Sequence, residues 1–82
     1  MLELRPNCEC CDANLPPESG DARICSFECT FCADCANRVL GGQCPNCGGE
    51  LIARPRRAAE LLAKYPASTK RLRKAGGCTT AA

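Results

Sequence analysis

The sequence predicts a small α+β domain that is held in shape by bound metal ions. Three observations support this prediction. The chain has 82 residues, enough for at most one small domain. Leu, Ile, Val and Phe together number thirteen, below a fifth of the chain and too few for a conventional apolar core. Ten cysteines are present, and eight of them form closely spaced pairs.

The paired cysteines have the spacing of metal ligands. They run Cys8-x2-Cys11-x13-Cys25-x3-Cys29-x2-Cys32-x2-Cys35-x8-Cys44-x2-Cys47. A Cys-x2-Cys turn points two thiolates at one ion, and two such pairs complete a tetrahedron around zinc. Eight ligands therefore predict two closed four-sulfur sites and two Zn²⁺ ions. Because structural zinc contributes directly to folding, we expect the metal-free chain to be largely unfolded.

Disulfide bonds and iron ligation are the alternatives to zinc for these cysteines. A disulfide framework belongs to secreted proteins, but residues 1–6 contain no apolar signal region and neighbouring cysteines suit one ion better than a bridge within each pair. The sequence therefore predicts a reducing, cytoplasmic setting, and no apolar run is long enough to span a membrane. Iron is the other alternative, since Cys44-Pro-Asn-Cys47-Gly resembles a rubredoxin knuckle.

Short regular elements are expected between the metal turns. Alternating apolar residues predict a hairpin with Phe27 and Phe31 on one face. Gly41 stands where a left-handed cap would end a short helix, and Pro55 where a second helix would begin. The predicted strands cover 1–6, 22–25, 27–31 and 50–53, and the predicted helical segments cover 33–40, 55–65 and 68–74.

Charge divides the chain into two predicted parts. Residues 1–53, the predicted metal domain, hold three arginines and eight acidic residues, a net charge of −5. Residues 54–82, a predicted basic and partly helical tail, hold eight basic residues and one acid, a net charge of +7. The tail can contact nucleic-acid phosphates or lie against the acidic metal domain. The candidate basic contact surface is Arg54, Arg56, Arg57, Lys64, Lys70, Arg71, Arg73 and Lys74.

The order of the eight cysteines resembles a RING finger, a treble-clef cross-brace with cysteine at every ligand position. The resemblance implies interleaved sites. Site 1 would be Cys8, Cys11, Cys32 and Cys35, and site 2 would be Cys25, Cys29, Cys44 and Cys47. The alternative is two sequential sites, in which the first two pairs bind one ion and the last two pairs bind the other.

The resemblance does not extend to the surface with which RING ubiquitin ligases bind a conjugating enzyme. Pro45 matches that family's Cys-Pro-x-Cys motif, but Glu9 replaces an aliphatic residue, Gly48 follows the last ligand, and tryptophan is absent. Ubiquitin-ligase activity is therefore not expected.

Over residues 1 to about 69 the chain resembles a family of small bacterial cysteine-rich proteins, domain of unknown function 1272. The segments MLELRPNCECC, ARICSFECTFCADCA, CPNCGGEL and KYPAS carry this resemblance. It implies a bacterial cytoplasmic zinc protein and no known activity.

The sequence favours a non-enzymatic adaptor that presents a metal-rigidified surface to a protein partner. Histidine is absent, so its acid–base chemistry is missing, and closed four-cysteine sites leave no position for water. The alternatives are nucleic-acid binding through the tail, and zinc storage or thiol redox sensing, with Cys10 as a spare thiol or a switch. The partner, the oligomeric state and the role of Cys78 stay open.

Overall fold

A computed structural model describes residues 2–72. Its regular elements are short and follow the order β1 (Ala22–Ile24), β2 (Thr30–Cys32), a π-helical turn (Cys35–Val39), β3 (Ile52–Ala53) and α1 (Ala59–Lys64). The strands form one antiparallel sheet in the order β2-β1-β3. Arg23 is the central residue, opposite Phe31 on one side and Ala53 on the other. The predicted α+β class is confirmed at this level.

The buried core consists mainly of sulfur. Among the described residues its main cluster holds five cysteines and three other residues, Leu15, Ala22 and Phe31. Phe31 is completely buried and is the largest apolar side chain in this cluster. A chain with so few large apolar residues thus places thiols where a larger domain would place leucines.

The predicted hairpin forms, but its two phenylalanines do not share a face. Phe27 is 72% exposed and Phe31 is buried. Glu28 adopts a left-handed backbone with φ 66°, and the Cys25 amide donates to the Cys29 carbonyl at 3.3 Å. These features make residues 25–29 a turn, so the alternation of a strand begins only at Thr30.

The helical segments are shorter than predicted. The first contains a π-helical turn, in which the Leu40 amide donates to the Cys35 carbonyl at 2.9 Å, and Gly41 follows with the expected left-handed φ of 60°. In the second, Ala58 has an extended backbone with ψ 141°, so α1 begins at Ala59 and not at Pro55.

Two segments predicted to be regular are irregular in the structure. Residues 2–6 form no strand, and Leu4 is buried with a left-handed φ of 55°. Residues 68–72 form no helix, and the rest of that predicted segment lies outside the described residues. No helix among residues 2–72 has the length and apolarity needed to span a membrane.

The segment after β3 contacts β1 and the first fifteen residues. Arg54 is buried, and its backbone amide donates to the Ala22 carbonyl at 3.0 Å. Further along, the Ser68 amide donates to the Glu3 carbonyl at 2.8 Å, and the Arg71 guanidinium forms an ion pair with Asp12 at 3.0 Å. Of the two predicted locations for the tail, the structure describes contact with the metal domain.

Candidate metal centre

Four thiols from three parts of the chain meet at site 1. Cys8 and Cys11 lie in the first metal turn, Cys32 ends β2, and Cys35 begins the π-helical turn. Their four sulfurs all lie within 4.8 Å of one another. The sheet positions the second pair because Cys32 is fixed opposite Ala22.

The spacing of these sulfurs fits a zinc ion. With Zn–S bonds of about 2.3 Å, a tetrahedral site places its sulfurs about 3.8 Å apart. The Cys11 and Cys32 sulfurs are 3.7 Å apart, which matches that edge length. The four thiols of site 1 could therefore hold one metal ion.

Backbone amides are aimed at the sulfurs of site 1. The Cys10 amide donates to Cys8 Sγ and the Cys35 amide donates to Cys32 Sγ, each at 3.4 Å. The first turn is closed by the Asp12 amide, which donates to the Cys8 carbonyl at 2.9 Å. Such N–H···S hydrogen bonds favour the thiolate, the form that binds metal.

Site 2 has the same construction around three of its four predicted ligands. The sulfurs of Cys25, Cys44 and Cys47 lie within 4.8 Å of one another. Each accepts a backbone N–H from the residue two positions later, at 3.3 Å for Cys25 and 3.4 Å for the other two. Gly48, with φ 80°, closes the last turn by donating to the Cys44 carbonyl at 2.9 Å.

Cys29 lies beside site 2, but its sulfur does not belong to the group of three that lie within 4.8 Å of one another. The side chains of Cys25 and Asn46 act on the pKa of the Cys29 thiol, which Cys25 raises and Asn46 lowers. The backbone carbonyl of Cys29 accepts the Cys25 amide. Cys29 is thus the candidate for the fourth sulfur ligand of site 2.

The thiols of site 2 have unequal pKa values. Burial raises the pKa of Cys25, but hydrogen bonds from the backbone of Phe27 and Cys29 outweigh burial and lower this pKa to about 7. Burial raises the pKa of Cys29 to about 11, with a further contribution from Cys25. Burial also raises the pKa of Cys44. The thiols of one site can therefore ionise together only when a cation offsets their negative charges.

Site 1 shows the same division. At Cys8, burial opposes ionisation, but hydrogen bonds from the backbone of Cys11, Cys32 and Cys10 lower the pKa. Burial and the neighbouring thiols raise the pKa of Cys35. Each site thus contains one thiol whose pKa is lowered by backbone N–H groups and at least one whose pKa is raised by burial.

The arrangement is interleaved. The first and third cysteine pairs share one group, and the fourth pair joins Cys25 of the second pair in the other. The sequential alternative would place Cys8 and Cys11 with Cys25, whereas the structure places them with Cys32 and Cys35. Cys10 is buried and belongs to neither group, while Cys78 lies outside the described residues.

Glu9 and Asn46, which the sequence did not single out as site residues, connect the two metal turns. Glu9 is buried, and its carboxylate accepts hydrogen bonds from the Thr30 amide at 2.8 Å and from the Asn46 side chain at 3.3 Å. Arg5 pairs with the same carboxylate at 3.1 Å. The sequence signal for this buried carboxylate is an acidic residue inside a metal turn with an arginine four residues earlier. A buried carboxylate requires such a partner.

The predicted basic contact surface is only partly exposed. Arg54 is 5% exposed and therefore does not belong to a solvent-facing surface. Arg57 donates to the Leu2 carbonyl and Arg71 to Asp12 and Asn14. Within residues 2–72, the side chains of Arg56, Lys64 and Lys70 lie at exposed positions and show no hydrogen bond or ion pair to another described residue, although Lys64 lies over the Tyr65 ring. Arg73 and Lys74 lie outside the described residues.

Comparison with known proteins agrees with the cysteine pattern. A family described as a protein of unknown function, DUF1272, matches residues 1–57. The chain belongs to this family. An uncharacterized protein of Rhizobium meliloti (strain 1021) is 70% identical over 78 residues, covering 95% of this chain and 93% of the relative. The predicted DUF1272 membership is thus confirmed. No solved structure matches the chain.

The two matches differ in how far they reach. The DUF1272 match ends at residue 57, three residues after Arg54. The similarity to the Rhizobium meliloti protein covers nearly the whole chain, so it extends into the basic segment.

Proposed function

We propose that this DUF1272 protein is a non-enzymatic adaptor in which two Zn²⁺ ions hold a small surface rigid for a protein partner. Sites 1 and 2 would each bind one ion through four thiolates, with Cys29 as the fourth ligand of site 2. The 3.7 Å separation of the Cys11 and Cys32 sulfurs supports zinc at site 1. When bound, zinc would supply structural crosslinks, since a closed four-sulfur site has no open coordination position.

The observation that carries the adaptor proposal is an exposed apolar surface built on site 2. Phe27 lies in the Cys25–Cys29 turn and is 72% exposed, and Ile52 of β3 is 59% exposed. Beside them lies a groove of about 350 Å³, lined in part by Leu2, Ile24 and Cys25. Exposed large apolar side chains around a groove mark interaction surfaces, and aromatic residues are enriched in such interfaces.

Site 2 fixes the position of this surface. The Phe27 amide donates to Cys25 Sγ at 3.3 Å, and Ile52 stands opposite Ile24, the residue before Cys25. Metal bound at Cys25 would therefore order both exposed side chains. Removal of the metal would therefore disorder this exposed surface.

Capture of partners by immobilised protein tests the adaptor proposal. We expect one or more proteins to be retained by the zinc-loaded chain and lost after Phe27→Ala or after chelation. Leu61→Ala is the matched control, because Leu61 is 47% exposed on α1 and lies outside the groove. Retention that is equal for the wild type, Phe27→Ala and the chelated chain would contradict an adaptor surface at site 2.

Zinc storage or thiol redox sensing is the second candidate, and one observation favours it. Each site has one exposed cysteine, Cys11 in site 1 and Cys47 in site 2, through which a chelator or oxidant can reach the sulfurs. Storage predicts that a competing chelator removes zinc rapidly. An adaptor predicts slow removal, limited by opening of the domain.

A further inference from the structure

Glu9 and Asn46 form a polar bridge between the two metal turns that come from opposite ends of the metal domain. Glu9 lies between Cys8 and Cys11 of site 1, and Asn46 lies between Cys44 and Cys47 of site 2. The Asn46 side-chain nitrogen donates to Glu9 Oε1 at 3.3 Å.

The bridge is anchored at both ends. On the site 1 side, Glu9 Oε2 accepts the Thr30 amide at 2.8 Å and the Arg5 guanidinium at 3.1 Å, while the Glu9 amide donates to the Thr30 carbonyl at 2.9 Å. Thr30 directly follows Cys29, a predicted ligand of site 2, and is the first residue of β2, which ends at Cys32 of site 1. Glu9 is 8% exposed, so these hydrogen bonds are made away from water, where an unmet partner is costly.

On the site 2 side, Asn46 contacts one of the predicted metal ligands directly. Its backbone amide donates to Cys44 Sγ at 3.4 Å. The turn that contains Asn46 carries both Cys44 and Cys47, two of the three thiols grouped at site 2. The Asn46 side chain therefore links the carboxylate of the site 1 turn to a turn that supplies two site 2 thiols.

From this geometry we propose that Glu9 and Asn46 are positioning residues that couple the two metal sites, so that loading of site 1 favours loading of site 2. The inference rests on the proposed function, because it requires both sites to bind zinc. With an ion bound, the Cys8 and Cys11 thiolates would hold the first turn and with it the Glu9 carboxylate. The Glu9 carboxylate would then orient Asn46 and the last turn, which carries Cys44 and Cys47. By linkage, loading of site 2 favours site 1 by the same factor.

Native mass spectrometry during a titration with Zn²⁺ tests the coupling, since it counts the chains that carry zero, one and two ions. In the wild type we expect the one-ion form to fall below its share for independent sites. Asn46→Asp replaces the donor by an acceptor facing Glu9, so we expect the one-ion form to rise as the coupling factor falls about tenfold, the effect of one hydrogen bond to a charged group. Asn37→Asp makes the same change at an exposed position and should leave the distribution unchanged.

Combining Asn46→Asp with Glu9→Gln restores a donor–acceptor pair with its direction reversed. We expect this double variant to recover most of the wild-type suppression of the one-ion form, which a purely structural loss at Asn46 would not allow. Glu18→Gln combined with Asn46→Asp is the control, since Glu18 is exposed and should give no rescue. Circular dichroism of each two-ion form checks that the variants fold.

Three results would overturn the coupling. The first is a wild-type distribution that fits independent sites, and the second is an Asn46→Asp distribution equal to that of the wild type. The third is an Asn46→Asp chain that never takes up a second ion, because Asn46 would then be needed for site 2 itself. Failure of the proposed function looks different, since the wild type would then not reach a two-ion form at any zinc concentration.

Discussion

Arg54 Nη1 donates to the carbonyl oxygen of Arg5 at 2.9 Å. Its Nη2 donates to the Leu15 and Pro16 carbonyls at 3.3 and 3.0 Å. One buried guanidinium thus joins the start of the chain to the loop before β1. Burial also lowers the pKa of Arg54, which is the cost of holding a cation among backbone carbonyls.

Replacing Arg54 by alanine should destabilise the zinc-loaded protein strongly. The change leaves three carbonyls without their donor, and unmet buried partners together cost about 3 kcal/mol or more. Chemical denaturation with excess zinc would measure the loss in the free energy of unfolding. Arg56→Ala is the matched control, since Arg56 is exposed and should change stability by about 0.5 kcal/mol or less. Equal effects of the two substitutions would contradict a structural role for Arg54.

Replacing Cys29 by serine should reduce the bound metal from two ions to one. Serine lacks the soft sulfur that selects zinc, and the three remaining thiols of site 2 would bind far more weakly than four. Cobalt substitution, read by sulfur-to-metal charge-transfer absorption per chain, would count the remaining thiolate sites. If Cys29→Ser bound two ions with unchanged affinity, Cys29 would not be a ligand.

Zinc affinity should fall as pH falls. Below its pKa a thiol carries a proton that the metal must displace. Cys29, with a pKa of about 11, is protonated throughout the neutral range, so its proton alone weakens binding by about tenfold per pH unit. Burial also raises the pKa of Cys44, so its proton must be displaced as well. Cys25, with a pKa of about 7, adds a further proton as the pH falls through 7, and the slope should steepen there.

Calorimetry of zinc binding in buffers of different ionisation enthalpy would count the released protons. We expect at least one proton per ion at pH 7.5 and more at pH 6.5. Binding that releases no protons would contradict thiol ligation, because metal-bound sulfur is deprotonated.

Binding to random duplex DNA should be weak and should depend little on salt. Of the basic residues described, Arg54, Arg57 and Arg71 are already bonded to protein groups. Fluorescence anisotropy of a labelled duplex would measure the affinity between 50 and 200 mM salt. The protein concentrations should span the usual range of non-specific dissociation constants. A steep decrease in affinity with salt, abolished by substituting Arg56, Lys64 and Lys70 with glutamine, would favour the nucleic-acid alternative.

The sequence predicted the metal turns better than the elements between them. Cysteine spacing is a local property, so Cys8 and Cys11 or Cys44 and Cys47 could be paired directly from the sequence. The hairpin was predicted, but Phe27 was placed on the wrong face because alternation does not reveal the left-handed backbone of Glu28. Turn closure between Cys25 and Cys29 determines where β2 begins.

Long-range polar contacts were beyond sequence reasoning. Arg54 was predicted to lie on a basic surface because its neighbours Arg56 and Arg57 are also basic, yet the sheet directs it inward, next to Ala53 at the end of β3. The Glu9–Asn46 bridge joins residues 37 positions apart, and no local pattern indicates such a pair. These contacts depend on how the interleaved cysteine pairs bring the turns together.

The central claim is that two sulfur-bound ions stabilise the fold in place of an apolar core. Elemental analysis of the purified, reduced protein, combined with circular dichroism before and after complete chelation, tests this claim most directly. We expect two zinc ions per chain and loss of the ordered spectrum when they are removed. A chain that carries fewer than two ions, or that keeps its native spectrum after chelation, would contradict it.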